Sequence, residues 1–163
     1  MKQIFLSKKG IEILEVPNPK IGNKEILVKN YYSCISPGTE LAGFKTLTQN
    51  TLTKIFQKPE VLKSLFNSLI KSGVQNTSRI VKRKLNSYFE LGYSSAGIVK
   101  EVGSDVKNFD KGDLVACSGG GYASHAEKIN VPENLAVKVL NFNNLNYYSS
   151  VALGSISLQG IRR

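Results

Sequence analysis

With no tryptophan, a single histidine (His125) and two cysteines (Cys34, Cys117), this 163-residue chain is short of the side chains that build metal clusters and disulfide frameworks. Two thiols and one imidazole do not complete a tetrahedral zinc site, and no second cysteine follows between Cys117 and Pro132 to seed a multi-cysteine lobe. No run approaches the roughly 18 apolar residues of a membrane span. Met1-Lys2 leads into a strand-like pattern instead of a signal-peptide core. The expectation is a cytoplasmic chain with no membrane partner and reduced thiols.

Acidic residues are also scarce, at 12 against 22 Lys and Arg, for a formal net charge of +10. The excess is local. Residues 45–90 hold nine basic residues against two acids, and the rest of the chain holds thirteen against ten. Nucleic acid is not the expected partner, because the segment offers Tyr88 and core-spaced phenylalanines but no stacking platform. A solvated helical face accounts for the charge.

What the chain has in quantity is glycine among β-branched residues. Residues 91–116 place Gly92, Gly97, Gly103 and Gly112 around Ile98-Val99, Val102 and Leu114-Val115. This spacing predicts strand, turn, strand, turn, strand, with Gly112 in a left-handed position after Asp110-Lys111. Strands turned this closely suit a small barrel. Upstream, Lys2-Gln3-Ile4-Phe5-Leu6 and Ile11-Glu12-Ile13-Leu14-Glu15-Val16 flank a hairpin signal ending at Gly10. Residues 25–35 predict a half-buried strand that ends at the polar turn Ser36-Pro37-Gly38-Thr39-Glu40.

Residues 41–90 change character. Pro59 suits a first helical position, and Val61, Leu62, Leu65, Phe66, Leu69 and Ile70 form one apolar stripe ended by Gly73. Asn76-Thr77 cap a second helix to about Leu85. Then β structure returns, with a flexible turn at Gly119-Gly120-Gly121, a strand over 123–131, a turn at Pro132-Glu133-Asn134 and a strand over 135–139. From Leu145 a helix is expected, interrupted at Gly154. The fold class is therefore mainly β with a helical insertion (α+β). Residues 1–150 form one domain containing a basic helical insertion at 41–90, and 151–163 begin a linker.

The stretch Gly97-Ile98-Val99-Lys100-Glu101-Val102-Gly103, followed by Gly112-Asp113-Leu114-Val115, resembles a signature of the medium-chain dehydrogenases and reductases, within their GroES-like N-terminal domain. In zinc-dependent, alcohol dehydrogenase-like members that signature opens Gly-His-Glu, where this chain has Gly92-Tyr93-Ser94. Likewise Pro37-Gly38-Thr39-Glu40-Leu41 is similar to a Cys-Gly-Thr-Asp-Leu motif, with Pro37 or, one register over, Ser36 at the cysteine position. The lost ligands argue against a metal site. The insertion, with Ser36-Pro37-Gly38-Thr39-Glu40 and residues 91–97, resembles bacterial bi-domain oxidoreductases associated with surface-polysaccharide gene clusters.

The resemblance implies a GroES-like partly open β barrel ending in a linker helix, and hydride transfer between NAD(P) and an alcohol, carbonyl or sugar, without zinc. Its candidate site residues are Thr39, Tyr93 and Ser94, hydroxyls able to orient a substrate carbonyl or relay a proton. Glu40 is expected to hold the turn, and His125 to be a packing residue in a strand, on one face with Ala123 and Glu127. No GxGxxG follows a strand anywhere in the chain, so no cofactor-binding residue is assigned. On this reading a Rossmann domain is missing, the chain is truncated and inactive alone, and its last helix invites self-association into a homo-oligomer. The alternative is a non-catalytic β-barrel binding module whose basic helices recruit an acidic partner.

Overall fold

The computed structural model describes residues 1–7, 9–40 and 88–163. The two helices expected between Pro59 and Leu85, and most of the basic insertion, lie outside the described residues.

Among the described residues eight strands form two antiparallel sheets. The first hairpin is as expected: β1 (Lys2–Ser7) pairs with β2 (Gly10–Glu15) from Lys2 opposite Glu15 to Ser7 opposite Gly10. Gly10 turns the chain at a φ of 117°, an angle that glycine adopts without steric cost. β1 also pairs on its other side with β4 (Phe89–Glu90), so the β part resumes before Leu91, inside the 41–90 range.

The second sheet has the order β7-β3-β5-β6-β8. It comprises β3 (Glu25–Ser33), β5 (Ser94–Val102), β6 (Leu114–Ser118), β7 (Lys128–Pro132) and β8 (Ala136–Lys138). Register shifts in the β3–β5 pairing at Leu27/Val28 and Asn30/Tyr32 bend the sheet, as bulges do, and the result is a curled half-barrel. Ile26, Val28, Val99, Val115, Cys117, Ile129 and Val131 meet inside it, with Phe109 from the 103–113 connection closing the core. Full burial of each aliphatic side chain contributes about 1.5–3 kcal/mol before entropy is counted. Burial also pushes the Cys117 thiol up to about 12, and both cysteines are free.

Several expectations need correction. Residues 91–116 make two strands, not three, because β5 runs unbroken through Gly97. That glycine is there for packing: a Cβ would strike the Lys29 carbonyl oxygen and the Val28 side chain of β3. Gly112 does take the left-handed position, at a φ of 102°. β3 is not evenly half-buried; Ile26, Leu27 and Val28 are all inside, and its second half is largely exposed. The strand expected over 123–131 begins only at Lys128. The residues before it are irregular and lie between two strands, where Gln3 of β1 bridges Ala126 and the Asn30 N–H of β3 donates to Glu127 O at 3.0 Å.

The C-terminal helix breaks at Ser149-Ser150, not at Gly154, giving α1 (Leu145–Tyr148) and α2 (Val151–Ile161). One glycine inside a helix costs about 1 kcal/mol, too little to end it. At the real break the Ser149 and Ser150 hydroxyls donate to the carbonyls of Asn146 and Tyr147, at 2.7 Å each, and compete with the helix ladder. Among the described residues no helix is long and apolar enough to cross a membrane.

Candidate active site

A cleft of about 900 Å³ opens between the sheets and α2, walled by Leu6, Leu91, Ala152 and Ile156. Besides Ser155 of α2, its polar groups come from three stretches of chain. Residues 37–40 bring Thr39 and Glu40, residues 90–93 bring Glu90 and Tyr93, and the end of β6 with the turn after it brings Ser118 and three glycines. The glycine turn is well placed to approach a ligand closely, with Gly119 and Gly121 at φ of 131° and 81°.

The polar turn at Ser36 proves to be the start of a helical turn over residues 37–40. Pro37 suits this, since its missing N–H has no partner to lose there. The backbone N–H of Glu40 donates to Ser36 O at 3.0 Å, and Glu40 Oε1 accepts from the Ser36 N–H at 3.3 Å. Thr39 is exposed, its hydroxyl 3.4 Å from that of Ser36.

Of the hydroxyls predicted from sequence, Thr39 and Tyr93 both face the cleft. Ser94 is fully buried and does not line it. Its Oγ donates to Ser149 O at 2.6 Å and accepts from the Ala152 N–H at 3.2 Å. It thus ties the start of α2 to β5 and sets the cleft's far wall.

His125 differs most from expectation. It lies in an irregular stretch, not in a strand, buried beside Ala123 and Ser124, whereas Glu127 is exposed. Its Nε2 is 3.1 Å from Glu40 Oε1 and its Nδ1 is 2.9 Å from Ser33 Oγ. An ionised carboxylate only accepts, so the network assigns the ring proton to Nε2, and Nδ1 accepts from the Ser33 hydroxyl. The stretch is held from both sides. Ile4 N–H donates to His125 O at 2.9 Å, His125 N–H to Leu91 O at 2.8 Å, and the Asn30 amide to Ala126 O at 2.9 Å.

Gly92 completes this arrangement. Its φ is 93°, and a Cβ there would lie 2.7 Å from the His125 backbone nitrogen and 2.8 Å from Nδ1. Sequence reasoning missed Ser33 and Asn30, which sit on an ordinary-looking strand and carry no motif. Gly92 was visible as a glycine, but not as the residue that makes room for an imidazole.

Curled half-barrel sheet and C-terminal helix together are consistent with a GroES-like fold. The alcohol dehydrogenase GroES-like domain family model matches residues 67–141 of the chain. Among curated proteins, none matches it.

Similar solved structures include the quinone oxidoreductase from Coxiella burnetii, at 21% identity and a TM-score of 0.55, covering 86% of this chain and 37% of that one. Escherichia coli quinone oxidoreductase complexed with NADPH shares 18% identity at a TM-score of 0.55, covering 92% of this chain and 36% of that one. Galactitol-1-phosphate dehydrogenase from Escherichia coli shares 16% at a TM-score of 0.62, covering 93% and 41% respectively. The chain thus spans well under half the length of these structures, and at such identities the likeness shows the fold alone.

Proposed function

We propose that this chain is the substrate-side domain of an NAD(P)-dependent oxidoreductase acting on an alcohol or carbonyl compound. The observation that carries the reading is the convergence of Thr39, Glu40 and Tyr93 on one largely apolar cleft beside α2. A few placed polar groups in an apolar cleft orient one oxygen function while the walls hold the carbon skeleton. Thr39 and Tyr93 donate hydrogen bonds to the substrate oxygen, and Ser94 acts at one remove by fixing α2.

The site does not suit a catalytic zinc. Thr39 and Tyr93 are poor zinc ligands, and the histidine and carboxylate that remain are bonded to each other at 3.1 Å. Among the described residues no three His, Cys, Asp or Glu side chains cluster. A nicotinamide cofactor would supply the hydride, and the chain has no strand–GxGxxG–helix unit to hold its pyrophosphate. A separate Rossmann domain would do so. A sugar or sugar-nucleotide substrate in surface-polysaccharide synthesis, in the cytoplasm, is the finer reading; its support is the subgroup resemblance in sequence.

Backbone NMR titration with small alcohols, ketones and quinones tests this. Shifts are expected at Thr39, Tyr93 and Gly119–Gly121, weakened roughly tenfold by Thr39→Ala or Tyr93→Phe, the cost of about one hydrogen bond. Binding elsewhere, or undiminished in both variants, would overturn it.

A further inference from the structure

We propose that Glu40 is the proton-exchanging group of the cleft and that His125 is its positioning residue. The inference deepens the oxidoreductase reading and takes its reaction from it. The hydrogen-bonded arrangement stands apart from that reading.

The imidazole sits between two concave surfaces. Glu40 lines the main cleft, and Ser33 and His125 line a second depression of about 330 Å³ beside Lys2 and Tyr32. The ring is buried, gripped at both nitrogens and fixed through its own backbone N–H and C=O. Such a group has little freedom and holds its partner to one geometry. Both bonds that Glu40 accepts among the described residues fall on Oε1, from His125 and from the Ser36 N–H. The Oε2 oxygen accepts no bond from any of the described residues.

Two further features shape the place that the imidazole occupies. Gly92 adopts a φ of 93° and keeps the space that the ring occupies. Asn30 gives its side-chain N–H groups to the carbonyls on either side of His125, Ser124 O and Ala126 O.

In carbonyl reduction, with hydride supplied to the carbonyl carbon by a nicotinamide cofactor held outside these residues, the carbonyl oxygen would take one proton from Glu40. The carboxylate left behind regains a proton from cleft water. In the oxidative direction each transfer reverses. His125 keeps its proton throughout and holds Oε1, so that Oε2 does the exchange.

Because His125 is the only histidine, ring nitrogen-15 spectra of the 163-residue chain are unambiguous. The expected result is the Nε2–H tautomer, with both ring resonances displaced in Glu40→Gln and the Nδ1 resonance displaced in Ser33→Ala. Backbone amides away from residues 33–40 and 123–126 should stay in place, which separates positioning from loss of fold. The second measurement is carbodiimide labelling mapped by mass spectrometry. The reagent takes up the carboxyl proton as the carboxylate adds to it, so labelling reports both reach and proton exchange. Glu40 should label in the folded chain, and faster in His125→Gln, where its hold is looser. An Nδ1–H tautomer, ring resonances indifferent to Glu40→Gln, or a Glu40 that stays unlabelled while Glu90 labels would each overturn the proposal. If the ring results hold but no carbonyl compound enters the cleft, the oxidoreductase reading fails and the positioning stands.

Discussion

The five-stranded sheet and the terminal helix α2 are both rich in apolar residues, and they use them in opposite ways. In the sheet Ile26, Val28, Val99, Val115 and Val131 are fully buried. In α2 the one buried residue is Ala152, and Ile156 and Ile161 are 67% and 82% exposed. Apolar content alone does not tell a core from a surface. The sheet is stabilised by its own packing, and the helix by its attachment to the sheet through Ser94. The cleft lies where the two meet, so its shape depends on that attachment.

The largest expected effect lies in the sheet. Gly97→Val would drive a branched side chain into the Lys29 carbonyl and Val28. The β3–β5 pairing cannot give way without opening the core, so thermal denaturation should show no cooperative transition at all. A folded variant would mean that the two strands can separate by a side-chain width.

Ser94→Ala comes next and addresses the attachment. It removes the hydroxyl that serves both Ser149 O and the Ala152 N–H. Two buried backbone groups left short of a partner should cost about 1–3 kcal/mol, read from chemical denaturation. Amide exchange should rise in α2 and not in β5. Equal loosening of both would show that helix and sheet form one cooperative unit.

On the exposed side, Ile156→Gln should leave stability within about 0.5 kcal/mol, as surface substitutions do. The same change should reduce self-association in sedimentation, because α2 presents Leu153, Ile156, Leu158 and Ile161 to solvent. A stability loss comparable to that of a core residue would place Ile156 in a packed environment.

The smallest effect is at the sheet's rim, where Lys138 Nζ lies 2.7 Å from Asp113 Oδ2. The Lys138 hydrogen bond, followed by the Asp110 backbone N–H, holds the Asp113 carboxyl below its ordinary value. A depressed folded value means stability present above the unfolded carboxylate pKa of about 3.9 and lost as pH falls through the folded one. Denaturation of wild type and Asp113→Asn should therefore differ slightly at neutral pH, with the gap starting to close as pH falls below about 4 and vanishing below the folded value. A gap that widens in acid would contradict the assignment.

Much of the fold was legible because glycine and β-branched spacing is a local signal. Gly10 and Gly112 mark turns, and the first hairpin falls where the residues put it. What was not legible depended on partners distant in sequence. Nothing local tells that Gly97 faces a neighbouring carbonyl instead of a turn, or that 123–127 lies between two strands. Of the candidate site, Thr39 and Tyr93 were singled out through motif position, and both line one cleft. Ser94 was found by the same route, yet its hydroxyl is engaged with the helix. The Ser33–His125–Glu40 arrangement joins residues 92 and 85 positions apart, a separation no periodicity can reveal.

In the proposed function this chain would supply the substrate side of the reaction, with the nicotinamide cofactor held by a separate domain. Titration calorimetry of the 163-residue chain with NADH and with NADPH tests that division most directly. The account predicts no saturable binding of either at concentrations where small carbonyl compounds still shift Thr39 and Tyr93. Micromolar binding of either cofactor would contradict it and place the cofactor site within these residues.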